Sequence, residues 1–313
     1  MFTGALLLAA TIAFPIPGQL PPLEQCYVIG AAPRGVTNVV VNGKDVAVYR
    51  TGAWSTVTPL TEGTNVIAVT GGDWTTNVTV VVAPKPPPPP PEDATNKPPE
   101  KVWTKLDYTK DEARPHPEGK EPGEITIVLD PGHGGPQDLG ARSPHGFPEK
   151  DANLHLALAV RRALERRGFR VLMTREDDRA VELTERPRLA VTNDADAFVS
   201  IHHNAPGYAK DPTDLRYHAV YCWNPLGERL AKAINAQMTS ALDGDIPTKG
   251  VLHANFAVTR NPETPSCLIE TDFVTSPAGE EAIWNNDRRV FIAEAIADGI
   301  DDRRKQKGTP DAP

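Results

Sequence analysis

The stretch Ile125-Thr126-Ile127-Val128-Leu129-Asp130-Pro131-Gly132-His133-Gly134-Gly135 decides the fold. Its first half is a short apolar, β-branched run, the pattern of a strand buried on both faces. Its second half replaces that run with an acid, a proline and three glycines around one histidine, so the backbone can turn sharply and present an imidazole without crowding. A helical pattern follows from Asp151 to Arg167, with Leu154, Leu158, Val160 and Leu164 as its apolar positions and Gly168 as its stop. Strands then alternate with helices to the end of the chain. Strands are expected at Ile125 to Leu129, Arg170 to Thr174, Ala197 to His202, His218 to Cys222, Ala254 to Val258 and Cys267 to Glu270. Helices are expected at Thr184 to Asn193, Leu226 to Leu242 and Asp287 to Arg304. This alternation implies an α/β domain over residues 124–304, an open, mostly parallel twisted sheet with helices on both faces.

Ligands of such sheets bind outside the carboxyl ends of the strands, so the polar residues at those ends are the candidates for chemistry. The first strand runs out at His133. Phe198-Val199-Ser200-Ile201-His202 runs out at His203-Asn204, and Ser266-Cys267-Leu268-Ile269-Glu270 ends in a carboxylate. Glu149 lies in the first turn after the glycine loop and projects back toward it. Each has an ordinary explanation alone: a strand-end histidine is commonly a hydrogen-bonded surface group, and a glutamate at a helix start favours the helix dipole. Together, two histidines and one glutamate form a common catalytic zinc set that leaves a position for water. Glu270, outside that set, could serve as general base toward water and general acid toward a leaving nitrogen. The constellation reads as a metal-assisted amide hydrolase.

Several segments carry a closer resemblance. Leu129 to Gly135, Asp138-Leu139-Gly140-Ala141, Glu149-Lys150, Thr174 to Asp178, Leu183 to Arg186, Ala195 to Ala205, Lys249-Gly250-Val251 and Leu268 to Phe273 occur in the order found in zinc-dependent N-acetylmuramoyl-L-alanine amidases of the amidase type 3 family. The chain resembles that family over roughly residues 124–300. The resemblance implies hydrolysis of the amide between N-acetylmuramic acid and L-alanine in peptidoglycan. It implies one zinc ion on His133, Glu149 and His202, with Glu270 as catalytic carboxylate. Asn204, Arg260 and Asn261 are expected to contact substrate. Asp130 and His203, with Asn204, are expected to orient the ligands, because adjacent strand residues face opposite ways and His203 cannot share a metal with His202.

Asp272 stands where the family has glycine, and it is expected to raise the Glu270 carboxyl by like-charge repulsion. Lys249 stands where arginine is more frequent. The Ala205 to Tyr217 segment is too short for the helical insertion that blocks the zinc of division-linked relatives, so no self-inhibition is expected from it. His145, His155, His218 and His253 receive no role, with His155 expected on a helix surface. Two other readings stay open: a zinc peptidase or carboxypeptidase acting on wall peptides, and a peptidoglycan-binding protein without turnover.

Upstream the grammar is different. Short β-branched runs cut by Asn42-Gly43, Glu62-Gly63 and Gly71-Gly72 predict a small all-β sandwich over residues 24–83, and Val41-Asn42-Gly43, Gly52-Ala53-Trp54 and Leu60 to Asn65 resemble bacterial immunoglobulin-like repeats appended to wall enzymes. It reads as a spacer, or as a glycan- or partner-binding unit acting through Trp54 or Trp74. The prolines concentrate in a stiff linker and irregular segment at 84–123, and a polar tail occupies 305–313. The apolar run Ala5 to Phe14 is too short to span a bilayer. It reads as the core of a signal peptide at residues 1–20, with a first strand as the alternative, and implies export to the periplasm, envelope or exterior.

The whole chain has 313 residues and a net charge of 33 − 41 = −8, which disfavours nucleic acid as a partner. Three cysteines exclude a disulfide-dense scaffold and an all-thiolate metal site. Cys222 and Cys267 read as small buried apolar residues. No integral membrane span is expected, and the chain is expected to be monomeric.

Overall fold

The computed structural model describes residues 10–86, 120–261 and 263–305. Most of the expected linker, the polar tail beyond Lys305 and residues 1–9 of the expected export segment lie outside the described residues.

Eight strands build the N-terminal module: β1 (Thr11–Phe14), β2 (Gly18–Leu20), β3 (Gln25–Ala31), β4 (Asn38–Val41), β5 (Lys44–Ala47), β6 (Ala53–Pro59), β7 (Gly63–Gly71) and β8 (Trp74–Val82). They form two sheets, ordered β1-β3-β6 and β2-β8-β7-β4-β5. Alternation decides which side chains enter the space between them. Cys26 and Val28 of β3, Trp54 of β6, Val39 and Val41 of β4, Ile67 and Val69 of β7, and Val78 and Val80 of β8 form that core. The β4–β5 hairpin turns at Asn42-Gly43, both with positive φ, as a two-residue hairpin of this twist requires.

Two expectations change here. Residues 11–20, read as part of an export segment with a first strand as the alternative, form β1 and β2, so the sandwich starts upstream of residue 24. Ala10, Ala13 and Leu20 are buried there, and β1 pairs antiparallel with β3. Trp54 is wholly buried and so presents no ring to a glycan, while Trp74, half-buried, packs against the same core.

The second unit is the expected α/β sheet. Its elements are β9 (Thr126–Pro131), α1 (Glu149–Arg166), β10 (Arg170–Met173), α2 (Glu185–Thr192), β11 (Ala197–Asn204), β12 (His218–Cys222), α3 (Pro225–Ala241), β13 (Thr248–His253), β14 (Ser266–Phe273), α4 (Pro277–Trp284) and α5 (Asn286–Lys305). The strand order is β10-β9-β11-β14-β12-β13, parallel throughout except for the antiparallel β12–β14 pair. Apolar residues of α1, α3 and α5 pack one face of the sheet, with Leu156, Val160, Ile234, Met238 and Ile296 meeting Ile127, Leu129, Val199 and Ile269. Ala190 of α2 packs on Phe198, Val128 and Leu268 on the opposite face.

The fifth strand in sequence order is Thr248–His253, not Ala254 to Val258. Val251 and Leu252 pair with Val220 and Tyr221 of β12. Val258 instead sits in a single 3₁₀ turn, Ala257–Thr259, that packs into the smaller core. The extra helix α4 starts at Ser276, whose hydroxyl accepts from the Gly279 N–H, followed by a proline at the first helical position. Cys222 and Cys267 are buried, free, and opposite each other on β12 and β14.

The three strands β9, β11 and β14 are immediate neighbours and end on the same side. The sheet therefore delivers the ends of the runs at Asp130, His202 and Glu270 to one place.

Trp54 fills the centre of the sandwich, so Trp54→Ala should cost about 3–5 kcal/mol, the range for emptying a buried aromatic site. Urea unfolding followed by near-ultraviolet circular dichroism would check this, and a loss below about 1 kcal/mol would contradict the packing described.

Candidate metal centre

Glu149 opens α1 directly after Pro148, and its carboxylate is carried back under the glycine loop. It is 4 % exposed. One oxygen accepts from the Ala141 N–H at 3.0 Å and lies 3.3 Å from Nε2 of His133. The other accepts from the Asn153 amide at 3.1 Å and the His203 N–H at 3.3 Å, and meets Nδ1 of His202 at 3.1 Å. Ligand atoms of His133, Glu149 and His202 all lie within 4.8 Å of one another. Two imidazoles and a carboxylate at that separation suit a divalent metal such as zinc.

The surroundings fit a metal as well. His133 Nδ1 pairs with the Asp138 carboxylate at 2.6 Å, which leaves Nε2 directed at the centre, the outer carboxylate–histidine arrangement usual at metal sites. Gly132 is required by close approach, since a Cβ there would run into the His202 ring. His133 itself adopts a left-handed φ of 61°, which aims its ring inward from the turn.

That turn is held from below by two buried guanidinium groups. Arg175 donates to the carbonyls of Pro131, Gly132 and Lys150. Arg186 donates to Asp130 and to the carbonyls of Pro131 and His133. Asp130 is fully buried and also accepts from Thr174 and Ser200 at 2.6 and 2.7 Å. Contrary to the expectation that it orients a ligand, it bonds no candidate ligand and supports the loop through Arg186. Lys150 reaches the Gly135 carbonyl and Asp178, closing the loop from its far side.

His203 points away from the centre, as strand alternation requires, and its ring bonds the Asn153 carbonyl oxygen at 2.8 Å. Burial depresses that imidazole to about 3, so it is neutral and donates from Nδ1. Asn153, which no sequence argument singled out, links His203, Glu149 and the Gly132 carbonyl. Its position one helical turn after Glu149 was the available signal.

Glu270 pairs across from His202 on neighbouring strands. Its Oε2 is buried with no hydrogen-bond partner. Burial, reinforced by the charge of Glu149, pushes its carboxyl well above the usual range. Glu149 is the counterpart: burial opposes ionisation, but the imidazoles of His133 and His202 hold it well below. Two carboxylates with oppositely shifted affinities for protons are suited to two roles, ligand and proton carrier.

Asp272 does not act on Glu270 as expected. The strand register shifts between His202 and Asn204 opposite it, and its carboxylate is buried against Arg216 and Arg288 at 2.5 and 3.1 Å. Those two cations balance it. The expected substrate contacts Arg260 and Asn261 lie away from the centre and are engaged locally. Asn261 is buried, with its side-chain oxygen accepting from the Glu263 and Thr264 N–H groups, so it shapes a turn. Arg260 is exposed and bound to Asn255. Both precede β14 at the end of the sheet opposite the centre. Asn204 is half-buried two residues past His202, its oxygen taken by the Ala205 N–H.

Among the other histidines, His145 bonds Glu280, His155 is exposed against the edge of Trp284, and His253 lies 3.6 Å from Glu228. Both nitrogens of buried His218 lack a partner. Lys249 lies 5.4 Å from the centre of the Tyr217 ring.

Comparison with known proteins gives this geometry its context. Residues 127–302 match the family described as N-acetylmuramoyl-L-alanine amidase. The chain is 34% identical over 178 residues to a probable cell wall amidase, LytH, of Staphylococcus epidermidis, covering 56% of this chain and 57% of that protein. It is 32% identical over 226 residues to the N-acetylmuramoyl-L-alanine amidase AmiC of Neisseria meningitidis serogroup B, covering 58% and 53%. The chain thus spans somewhat more than half the length of these relatives. Among solved structures, the amidase AmiC2 of Nostoc punctiforme superposes with a TM-score of 0.54 at 35% identity, over 57% of this chain and 97% of that one. An N-acetylmuramoyl-L-alanine amidase from Clostridium difficile 630 gives 0.54 at 32%, over 59% and 98%.

Two measurements follow from the geometry. Gly132→Ala should displace the His202 ring and weaken zinc binding by about tenfold or more; an unchanged affinity in chelator competition would contradict the packing. The second concerns protons. Burial would lower the His133 imidazole, but the bonds and charges of Glu149 and Asp138 outweigh it and raise it to about 9. In the metal-free protein this stabilisation is complete below about 6.5 and is lost as pH rises through about 9. Metal must displace that proton, so zinc affinity should climb with pH and level off above about 9. Calorimetric titration in buffers of different ionisation enthalpy should show proton release at pH 7 and its disappearance above the plateau.

Proposed function

Because the chain belongs to the N-acetylmuramoyl-L-alanine amidase family over residues 127–302, we propose that it hydrolyses the amide joining N-acetylmuramic acid to L-alanine in peptidoglycan. His133, Glu149 and His202 hold one zinc ion in this reading, and Glu270 is the catalytic carboxylate. The carrying observation is Glu270 itself, whose Oε2 is buried without a hydrogen-bond partner, whose proton affinity is raised, and which stands opposite His202 on the neighbouring strand. A zinc ion at the three ligands supplies Lewis acidity toward the amide carbonyl and toward water.

The protein's own residues supply the proton path. Glu270 takes a proton from the attacking water at its carboxylate and returns it to the leaving nitrogen of alanine. Glu149, ionised and fully hydrogen-bonded, keeps its charge throughout and raises the proton affinity of Glu270. Cleavage releases the lactyl carboxylate of muramic acid and a stem peptide with a free alanine amine.

Ala205 to Tyr217 contains no helix, so the site works without release of a blocking segment and without an activator. Peptidoglycan as substrate places the working protein outside the cytoplasm, and we read the chain as exported and monomeric. Among the described residues no helix is long and apolar enough to cross a membrane.

Digestion of purified peptidoglycan by the full chain should liberate new N-terminal alanine, detected by mass spectrometry, and a chelator should abolish the release. Glu270→Ala should reduce the rate by about a hundredfold or more while zinc stays bound. Cleavage inside the stem peptide would indicate a peptidase, and an intact wall with bound protein would indicate a binding role.

A further inference from the structure

Strand β3 is buried on both faces, which a free sandwich does not need. Its Cys26 and Val28 side chains enter the module's own core, while Tyr27 and Ile29 point outward. The outer face of a sandwich sheet is ordinarily solvated and polar. Here Tyr27 is 5 % exposed, Ile29 is 0 % exposed and Ser55 of β6 is 5 % exposed. With Ala13, Phe14 and Val57 they make a second apolar cluster on the outside of the module.

The cover is the catalytic domain. The Tyr27 N–H donates to the Tyr208 carbonyl at 2.6 Å and the Gln25 amide to the Ala209 carbonyl at 2.8 Å. Ser55 and Thr213 share a hydroxyl contact at 2.6 Å. The Phe14 ring stacks on Tyr27 and on Tyr208, with centroids 4.5 and 5.6 Å away. All three catalytic-domain residues belong to the loop that leaves β11 at Ala205, three residues past His202. That loop is tied onward to α4, because the Ser276 hydroxyl donates to the Thr213 carbonyl.

A second contact reaches the segment that precedes Glu149. Arg50 pairs with Glu281 of α4 at 2.7 Å. The Thr51 backbone bonds the His145 ring, and Glu280 accepts from both the backbone N–H and the ring of His145. His145 lies in the 142–148 loop that delivers Glu149.

We propose that the β module is a docked part of the catalytic unit, not a wall-seeking spacer, and that its outer sheet face braces the 205–213 loop while its Arg50-Thr51 turn braces the 142–148 loop, the two loops that border the metal triad. Both loops lack regular structure of their own over most of their length, and each is one short step of chain from a candidate ligand. Bracing them narrows the positions open to Glu149 and His202. This goes beyond the amide-cleaving reading, because metal retention and backbone exchange report it without turnover.

The test uses the full chain with zinc. Ser55→Arg places a long cation where a small hydroxyl now faces Thr213, and Tyr208→Ser removes the stacked ring from the catalytic side. Thr79→Arg, exposed on the opposite sheet, is the control. Both docking variants should increase hydrogen exchange in 142–148 and 205–213, and speed zinc loss to a chelator by about tenfold. On a soluble muramoyl peptide they should lower kcat with KM little changed, whereas a spacer would affect only insoluble wall. If Ser55→Arg fails to fold, Tyr208→Ser carries the test alone. Unchanged exchange in both loops, or unchanged zinc release, would overturn the proposal. Failure of the wild-type chain to cleave the muramoyl peptide would instead refute the amidase reading and leave the exchange and zinc results to decide the docking.

Discussion

One buried carboxylate organises the catalytic half of this molecule. Glu149 is withdrawn from water, and a charge so placed is tolerated only if every lone pair has a partner. Two backbone N–H groups, one amide and two imidazoles meet that demand. The five partners arrive from four segments: the 139–141 turn, the glycine loop, the end of β11, which supplies two, and the next turn of α1. Satisfying one charge therefore fixes four pieces of chain relative to each other. The same arrangement is what a divalent cation would find.

The loop at Pro131-Gly132-His133 shows how strain is held at a site. A histidine in the left-handed region is unfavourable, and it persists because the surrounding bonds over-determine it. Arg175 and Arg186 direct their guanidinium groups at consecutive carbonyls of this turn, and Asp130 offsets part of their charge. Rigid first contacts around a reactive centre reduce the reorganisation needed when charge develops there.

The sequence made the sheet and the convergence of His133, Glu149, His202 and Glu270 legible, because parallel strands have a working end and these residues stand at it. Its alternation also made the sandwich readable from Asn38 onward. What stayed hidden depends on neighbours distant in sequence. Asp272 looks like an extra negative charge beside Glu270 until the cations Arg216 and Arg288 are seen against it. Asn261 looks available to a ligand until its oxygen is found closing its own turn. Trp54 looks like a binding aromatic until the two sheets close over it. The boundary of the module was obscured for the same reason, since an apolar run at a chain start has the same composition whether it targets a protein or forms an edge strand.

The doubly buried strand β3 also has a consequence for the order in which the chain is made. Synthesis runs from the amino end, and Gln25 meets Ala209 across a separation of 184 residues. The sandwich can close on its own core long before that partner has been synthesised, yet Tyr27, Ile29 and Phe14 then remain uncovered. At elongation rates of about 5–20 residues per second the interval lasts on the order of ten seconds or more. During it the nascent chain carries an adhesive apolar strip, open to other chains or to a holding chaperone until the carboxyl half emerges to cover it.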